Sequence, residues 1–140
     1  MSPERSRLVG LACVVALAVA LPLGCDSASS PVAPAMEAGC GERFDLRVGQ
    51  AVAACGLVVS FVGVLEDSRC PPTVLCFRGG SATVVVTVQR DDLPPASLPL
   101  RQWGEVDSSG RRIRFADLVP PTRVDRPLLQ SEYVATFQVR

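Results

Sequence analysis

Histidine, lysine and asparagine are absent from this chain of 140 residues, and arginine carries all 14 basic charges against 14 acidic ones. Without His there is no Ser-His-Asp or Cys-His arrangement and no imidazole metal ligand. Without Lys there is no Schiff-base amine and no phosphate-loop lysine. Without Asn there is no Asn-x-Ser/Thr acceptor for glycans. Aromatics are few, with one Trp, one Tyr and five Phe. A net charge of zero gives no basic footprint for nucleic acid, so no partner of that kind is expected. No cofactor or metal is expected either. An Arg-only chain rich in Ala, Val, Pro and Gly is also what a GC-rich genome encodes, so these absences bound the chemistry without selecting one.

The N-terminus carries an address. Arg5 and Arg7 precede an apolar run over residues 8–21, which ends at Pro22-Leu23-Gly24-Cys25. Fourteen residues fall short of the roughly 20 that a spanning helix needs. A charged start, a short apolar stretch and a small residue before the cut describe a secretory signal peptide over residues 1–24. Two cuts compete. Ala18-Val19-Ala20 fits ordinary signal peptidase, whereas Leu21-Pro22-Leu23-Gly24-Cys25 resembles a bacterial lipobox, with Pro22 where that motif usually has Leu. In a lipobox Cys25 would receive a thioether-linked diacylglycerol and become the new N-terminus.

Cysteine parity separates the two cuts. Of six cysteines, Cys13 is lost with the signal in either case. Cutting after Ala20 leaves five, an odd set in an oxidising compartment; lipidation of Cys25 leaves Cys40, Cys55, Cys70 and Cys76, an even one. The expected product is therefore a lipoprotein, held to the membrane by acyl chains on Cys25 and facing an oxidising extracytoplasmic space of the bacterial envelope. Asp26 resembles an inner-membrane retention signal, but sorting rules differ between bacterial groups, so inner and outer membrane both remain open. Pairing 40–55 with 70–76 is the most local of three connectivities, and the crossed ones are not excluded by spacing.

Residues 25–39 are small, Pro-bearing and nearly free of large apolar groups, which predicts a flexible tether from the lipid to the domain. Residues 40–140 predict one disulfide-stapled β domain. Phe44-Asp45-Leu46-Arg47-Val48 alternates with the period of a half-buried strand. Residues 57–65 are almost wholly apolar, with four Val and Gly63 as a candidate bulge. Residues 82–88 are the clearest strand. Residues 105–115 read as a hairpin around Ser108-Ser109-Gly110, and residues 133–139 close the chain with Tyr133, Ala135, Phe137 and Val139 on one face. Pro94, Pro95, Pro99, Pro120, Pro121 and Pro127 break the intervals and oppose any long helix. The pattern also allows a brief helical turn over residues 116–119. About seven short strands predict an all-β fold, a small antiparallel β-sandwich of immunoglobulin-like size or a partly open barrel.

One motif stands out. Asp67-Ser68-Arg69-Cys70-Pro71, four further residues, Cys76, three more and Gly80 lead directly into the Val-rich strand. Through these residues the chain resembles a group of uncharacterised short bacterial lipoproteins and secreted proteins with an Asp-Ser-Arg-Cys-Pro-x4-Cys-x3-Gly pattern. It departs from them at Arg78, where an aromatic is common. The resemblance spans about 30 residues and implies a compact β domain in the envelope, with no activity attached.

Physical chemistry gives the same residues work of their own. Cysteines six apart can close a tight loop, and Pro71-Pro72 stiffens it. Asp67 and Ser68 can hydrogen-bond backbone amides, and Arg69 can pair with Asp67 or Glu66 or bond loop carbonyls. A stapled turn is the plainer expectation. The sharper one is that Pro72, Thr73, Val74 and Leu75 are presented to a partner as a peptidase-inhibitor-like loop, since a preorganised loop loses less entropy on binding. Arg111, Arg112 and Arg114 read as a solvated strand face balanced by Asp107 and Asp117, and Trp103 as core or edge packing. With no nucleophile–base pair to assemble, the expected product is a non-catalytic binding or structural module, not an enzyme, and its envelope partner, protein or glycan, is unspecified.

Overall fold

Two hairpin turns set the register of the chain. Cys55-Gly56 and Ser109-Gly110 both have two successive residues at positive φ (54° and 76°; 52° and 74°), the type I′ geometry whose twist matches that of paired strands. In the computed structural model, which describes residues 36–91 and 93–140, these turns join β3 (Ala51–Ala54) to β4 (Leu57–Asp67) and β7 (Glu105–Ser108) to β8 (Arg111–Val119). The remaining strands are β1 (Met36–Ala38), β2 (Arg43–Arg47), β5 (Ala82–Gln89), β6 (Ala96–Arg101) and β9 (Val134–Val139). The expected signal peptide, the expected lipidation site Cys25 and residues 26–35 of the expected tether lie outside the described residues.

The strands form two sheets, ordered β1-β3-β4-β5-β6 and β2-β9-β8-β7. The fold is a small β-sandwich, as the short alternating segments predict. All pairings are antiparallel except β1 with β3, which run parallel. Met36–Ala38 thus belong to a sheet, although the sequence places them at the end of the tether.

Alternation explains which side chains meet between the sheets. Phe44 and Leu46 of β2 and Ala82, Val84, Val86 and Val88 of β5 are buried, with their neighbours turned outward. Phe137 of β9 lies at the centre, its ring 5.6 Å from Phe115, 6.3 Å from Phe44 and 5.8 Å from Phe61 across the sandwich. Each such side chain contributes roughly 1.5–3 kcal/mol by leaving water.

Three departures from expectation have physical causes. Residues 116–119 are strand, not a helical turn: a register shift between Phe115 and Asp117 puts Phe115 and Ala116 side by side in the core, and the break in alternation imitates a helical face. Pro99 lies within β6 instead of breaking it, because β6 is a sheet edge where a missing N–H leaves no partner unsatisfied. Trp103 is 66% exposed at a positive φ of 66° in the β6–β7 turn, and so is neither core nor edge packing.

Gly63 is a bulge residue, as expected, with a register shift between it and Phe61. Past that shift β4 outruns β3, and the Gln130 side chain takes the place of the missing strand. Its Oε1 accepts from the Val64 N–H (2.9 Å) and its Nε2 donates to the Val64 carbonyl (2.9 Å). A Cβ at position 63 would lie 2.9 Å from Gln130 Oε1, so the small residue makes room for that bond.

Candidate functional site

The Asp67–Gly80 motif closes one end of the sandwich, where β4 ends, β5 begins, β8 ends and β9 begins. Asp67, the last residue of β4, has a side chain only 7% exposed, and that of Arg69 is 13% exposed. The Arg69 guanidinium grips the carboxylate with two bonds, Nε to Oδ1 at 2.8 Å and Nη2 to Oδ2 at 2.7 Å. Two further N–H groups reach across to the other sheet, Nη1 to the Leu118 carbonyl and Nη2 to the Pro120 carbonyl at 2.8 Å. Tyr133 Oη donates to Asp67 Oδ2 (3.2 Å), and Thr122 Oγ1 donates to the Arg69 carbonyl (2.8 Å). One ion pair therefore ties the ends of both sheets together, an arrangement suited to the planar fork of arginine.

Burial pushes the Asp67 carboxyl upward, but the hydrogen bonds from the Arg69 side chain and backbone and its charge outweigh this. The net result holds it below the ordinary 3.8. A depressed carboxylate stabilises the fold fully above its unfolded value, and that contribution disappears as pH falls through the folded one. Asp67→Asn is accordingly expected to melt well below the parent at neutral pH. The gap in Tm should shrink steadily as pH drops below 3.8, as read by thermal melts from pH 7 to 2. A constant gap would show that the ion pair is not what Asp67 supplies.

Ser68 and Gly80 fasten the base of the loop. The Ser68 N–H and hydroxyl both donate to the Ser81 carbonyl (3.0 and 2.9 Å), and the Ser81 N–H donates back to Ser68 Oγ (3.2 Å). Gly80 passes so close to the Ser68 carbonyl that any Cβ there would overlap its oxygen. Above this base, Cys70 and Cys76 are bonded with Cα atoms 6.0 Å apart, and the half-buried Pro71 accepts from the Val74 N–H (3.2 Å) in a tight turn. Cys40 and Cys55 form the second disulfide, so the local connectivity is the one adopted. By loop closure alone the two contribute about 3 and 2 kcal/mol, the longer loop more.

Pro72, Thr73, Val74 and Leu75 are all exposed; Leu75 and Phe77 expose essentially their whole side chains. Beside them run two open clefts. One, about 440 Å³, lies between the end of β4 and the β8–β9 connection, with Arg69, Arg123, Gln130 and Tyr133 in its wall. The other, about 400 Å³, separates Pro72 and Thr73 from residues 120–125. The connection itself is fixed by Arg126, whose Nη1 and Nη2 donate to both Glu132 oxygens (2.7 and 2.6 Å), while Glu132 also accepts from the Leu129 N–H (2.8 Å). Those bonds, the Arg126 fork first, lower the Glu132 carboxyl to about 2.

The arrangement is poorly suited to proton transfer. Asp67 accepts four hydrogen bonds, from the Arg69 N–H, Nε and Nη2 and from Tyr133 Oη, and a carboxylate so engaged and so acidic is a weak base. Sequence reasoning places Asp67, Ser68, Arg69, Pro71 and Gly80 in one brace, and they are together. It misses Tyr133, Thr122, Gln130 and the carbonyls of Leu118 and Pro120, which lie 49 or more residues from the groups they contact. It also passes over Phe77, which extends the apolar tip beyond Leu75. Arg111 and Arg112, the latter near Glu105 and Asp107 at 3.6 Å each, belong to the solvated face expected of the arginine cluster, whereas Arg114 is half-buried with its Nε enclosed. Compared with protein-family models, curated proteins and solved structures, the chain matches none of them.

Proposed function

We propose that this protein is a bacterial envelope lipoprotein, anchored through acyl chains on Cys25, whose domain is a non-catalytic binding module. Its contact element is the Cys70–Cys76 loop. The observation that carries this reading is the contrast at that loop: a largely buried, multiply hydrogen-bonded Asp67–Arg69 pair beneath an uncharged, exposed tip. Rigid support under unsatisfied apolar surface lowers the entropy lost on binding, and exposed large apolar side chains gathered in one place mark interaction sites. Both disulfides suit an oxidising extracytoplasmic compartment, where such bonds persist.

The anchor is tested by palmitate labelling in cells. Cys25→Ser should lose all label and move to the soluble fraction; label retained by that variant would overturn the anchor. The exposure of Leu75 also supports a second reading, a loop that occupies a peptidase cleft through residues 72–75. Loss of captured envelope peptidase in both Thr73→Ala and Leu75→Ala would favour it, and unchanged capture in both would sink it.

A further inference from the structure

The two ends of the sandwich differ in kind. At the motif end, Val74, Leu75, Phe77, Val119, Val124 and Leu129 all expose large fractions of their apolar side chains. At the opposite end, formed by the β3–β4, β5–β6 and β7–β8 connections, Leu93 is the exposed large apolar side chain among the described residues, set among Arg90, Asp91, Asp107 and Arg111. Residues 70–77 contain no ionisable side chain outside the disulfide. Arg78 follows at once and has no ion-pair partner among the described residues. An apolar tip followed by a long cationic side chain suits a boundary between hydrocarbon and headgroups, where Arg can bury its stem and keep its charge in water.

The direction of β1 relates this end to the anchor. β4 runs toward the motif end, β3 is antiparallel to β4 and β1 is parallel to β3, so β1 runs away from the motif end. Met36 is therefore the end of β1 nearer to Leu75 and Phe77. Met36 aligns with Val52 and hence with Val59, eight residues before Asp67, or about 25 Å along the strand. Residues 26–35 are ten residues, which reach at most about 35 Å. That reach exceeds the distance to the level of Asp67 by about 10 Å, so the intervening chain is long enough for a lipid on Cys25 and the Cys70–Cys76 loop to meet one bilayer.

We infer that the motif end is a membrane-contact face, with Leu75 and Phe77 entering the outer acyl region of the same bilayer that holds Cys25. This rests on the anchored reading above. The occupant of the apolar tip is a lipid surface, and the double attachment, acyl chains plus loop, fixes how the domain stands on the membrane. The clefts beside residues 120–125 then face the headgroups, and the charged opposite end faces away.

The test uses the full chain, lipidated in cells and reconstituted into phosphatidylcholine/phosphatidylglycerol vesicles. Replacing the single, exposed Trp by Trp103→Phe gives a silent background. Phe77→Trp then reports on the tip and Leu93→Trp on the opposite end. Insertion to about 5–10 Å, usual for an interfacial apolar face, should make position 77 several-fold less open to acrylamide than position 93. Lipids brominated on their acyl chains should quench position 77 strongly and position 93 hardly at all. Protein that floats with the vesicles while position 77 stays as open as position 93 overturns the inference and leaves the anchor standing. Position 77 shielded only after addition of envelope protein extract, and untouched by brominated lipid, also overturns it, in favour of a protein partner. Failure to float overturns the anchor and the inference with it.

Discussion

Gly80→Ala is expected to destabilise the domain by about 3–5 kcal/mol, at the upper end of what single substitutions do and a large part of a typical total of about 5–15 kcal/mol. The added methyl would overlap the Ser68 carbonyl oxygen, which is backbone and cannot turn aside like the end of a side chain. Ser68 is itself held by three hydrogen bonds to Ser81, so any shift that relieves the clash opens the base of the loop and moves Arg69 off Asp67. Gly79 provides an internal control. A Cβ there meets nothing within 4 Å, so Gly79→Ala keeps only the unfolded-state entropy effect, a gain of about 0.4–1 kcal/mol. Urea denaturation of the two variants should move the midpoint in opposite directions. Equal midpoints would show that the close approach of Gly80 to Ser68 is not a constraint on the fold.

Phe137→Ala should cost about 3–5 kcal/mol for a different reason, the cavity left behind. Phe137 is fully buried and contacts Phe44 and Phe115 within its own sheet and Phe61 in the facing one. Removing its ring takes away the aromatic centre shared by both sheets, and the three remaining rings are held on separate strands that cannot all collapse inward. Phe137→Leu keeps most of the volume and should cost less than about half as much. Equilibrium denaturation orders the three proteins. Near-equal stability of Phe137→Ala and the parent would mean that the sandwich repacks around the gap.

What the sequence discloses here is what has a short period or a fixed spacing. β2 and most of β9 alternate, so one face of each is legible from the sequence, Phe44 and Leu46 in the first and Ala135, Phe137 and Val139 in the second. β3 escapes because Ala51-Val52-Ala53-Ala54 is mostly alanine, a weak strand former that only its place between β1 and β4 makes extended. β6 escapes because Pro99 suggests a break, and only knowing that the strand is an edge removes the objection. The motif is legible as a brace because Asp67, Ser68 and Arg69 are adjacent and the cysteines are six apart. Its reach across the sandwich is not, because Leu118 and Pro120 contribute backbone carbonyls, which every residue has, and Tyr133 reads simply as one more inward-facing strand residue.

The Cys40–Cys55 bond also determines how the domain bears load. Tension drawn through the chain at Met36 and resisted at the C-terminus meets a covalent bridge from Cys40 to Cys55, so residues 41–54 cannot be pulled out as extended chain. The three residue pairs of β1 with β3 lie outside the bridge and yield first. β2 lies inside it, so it cannot be drawn out as chain and goes on covering the edge of β9. Those fourteen shielded residues withhold about 50 Å of contour from any pull. A domain tied at its N-terminus to a moving surface would in this way give up a short strand while its covalent clasp keeps the sandwich closed.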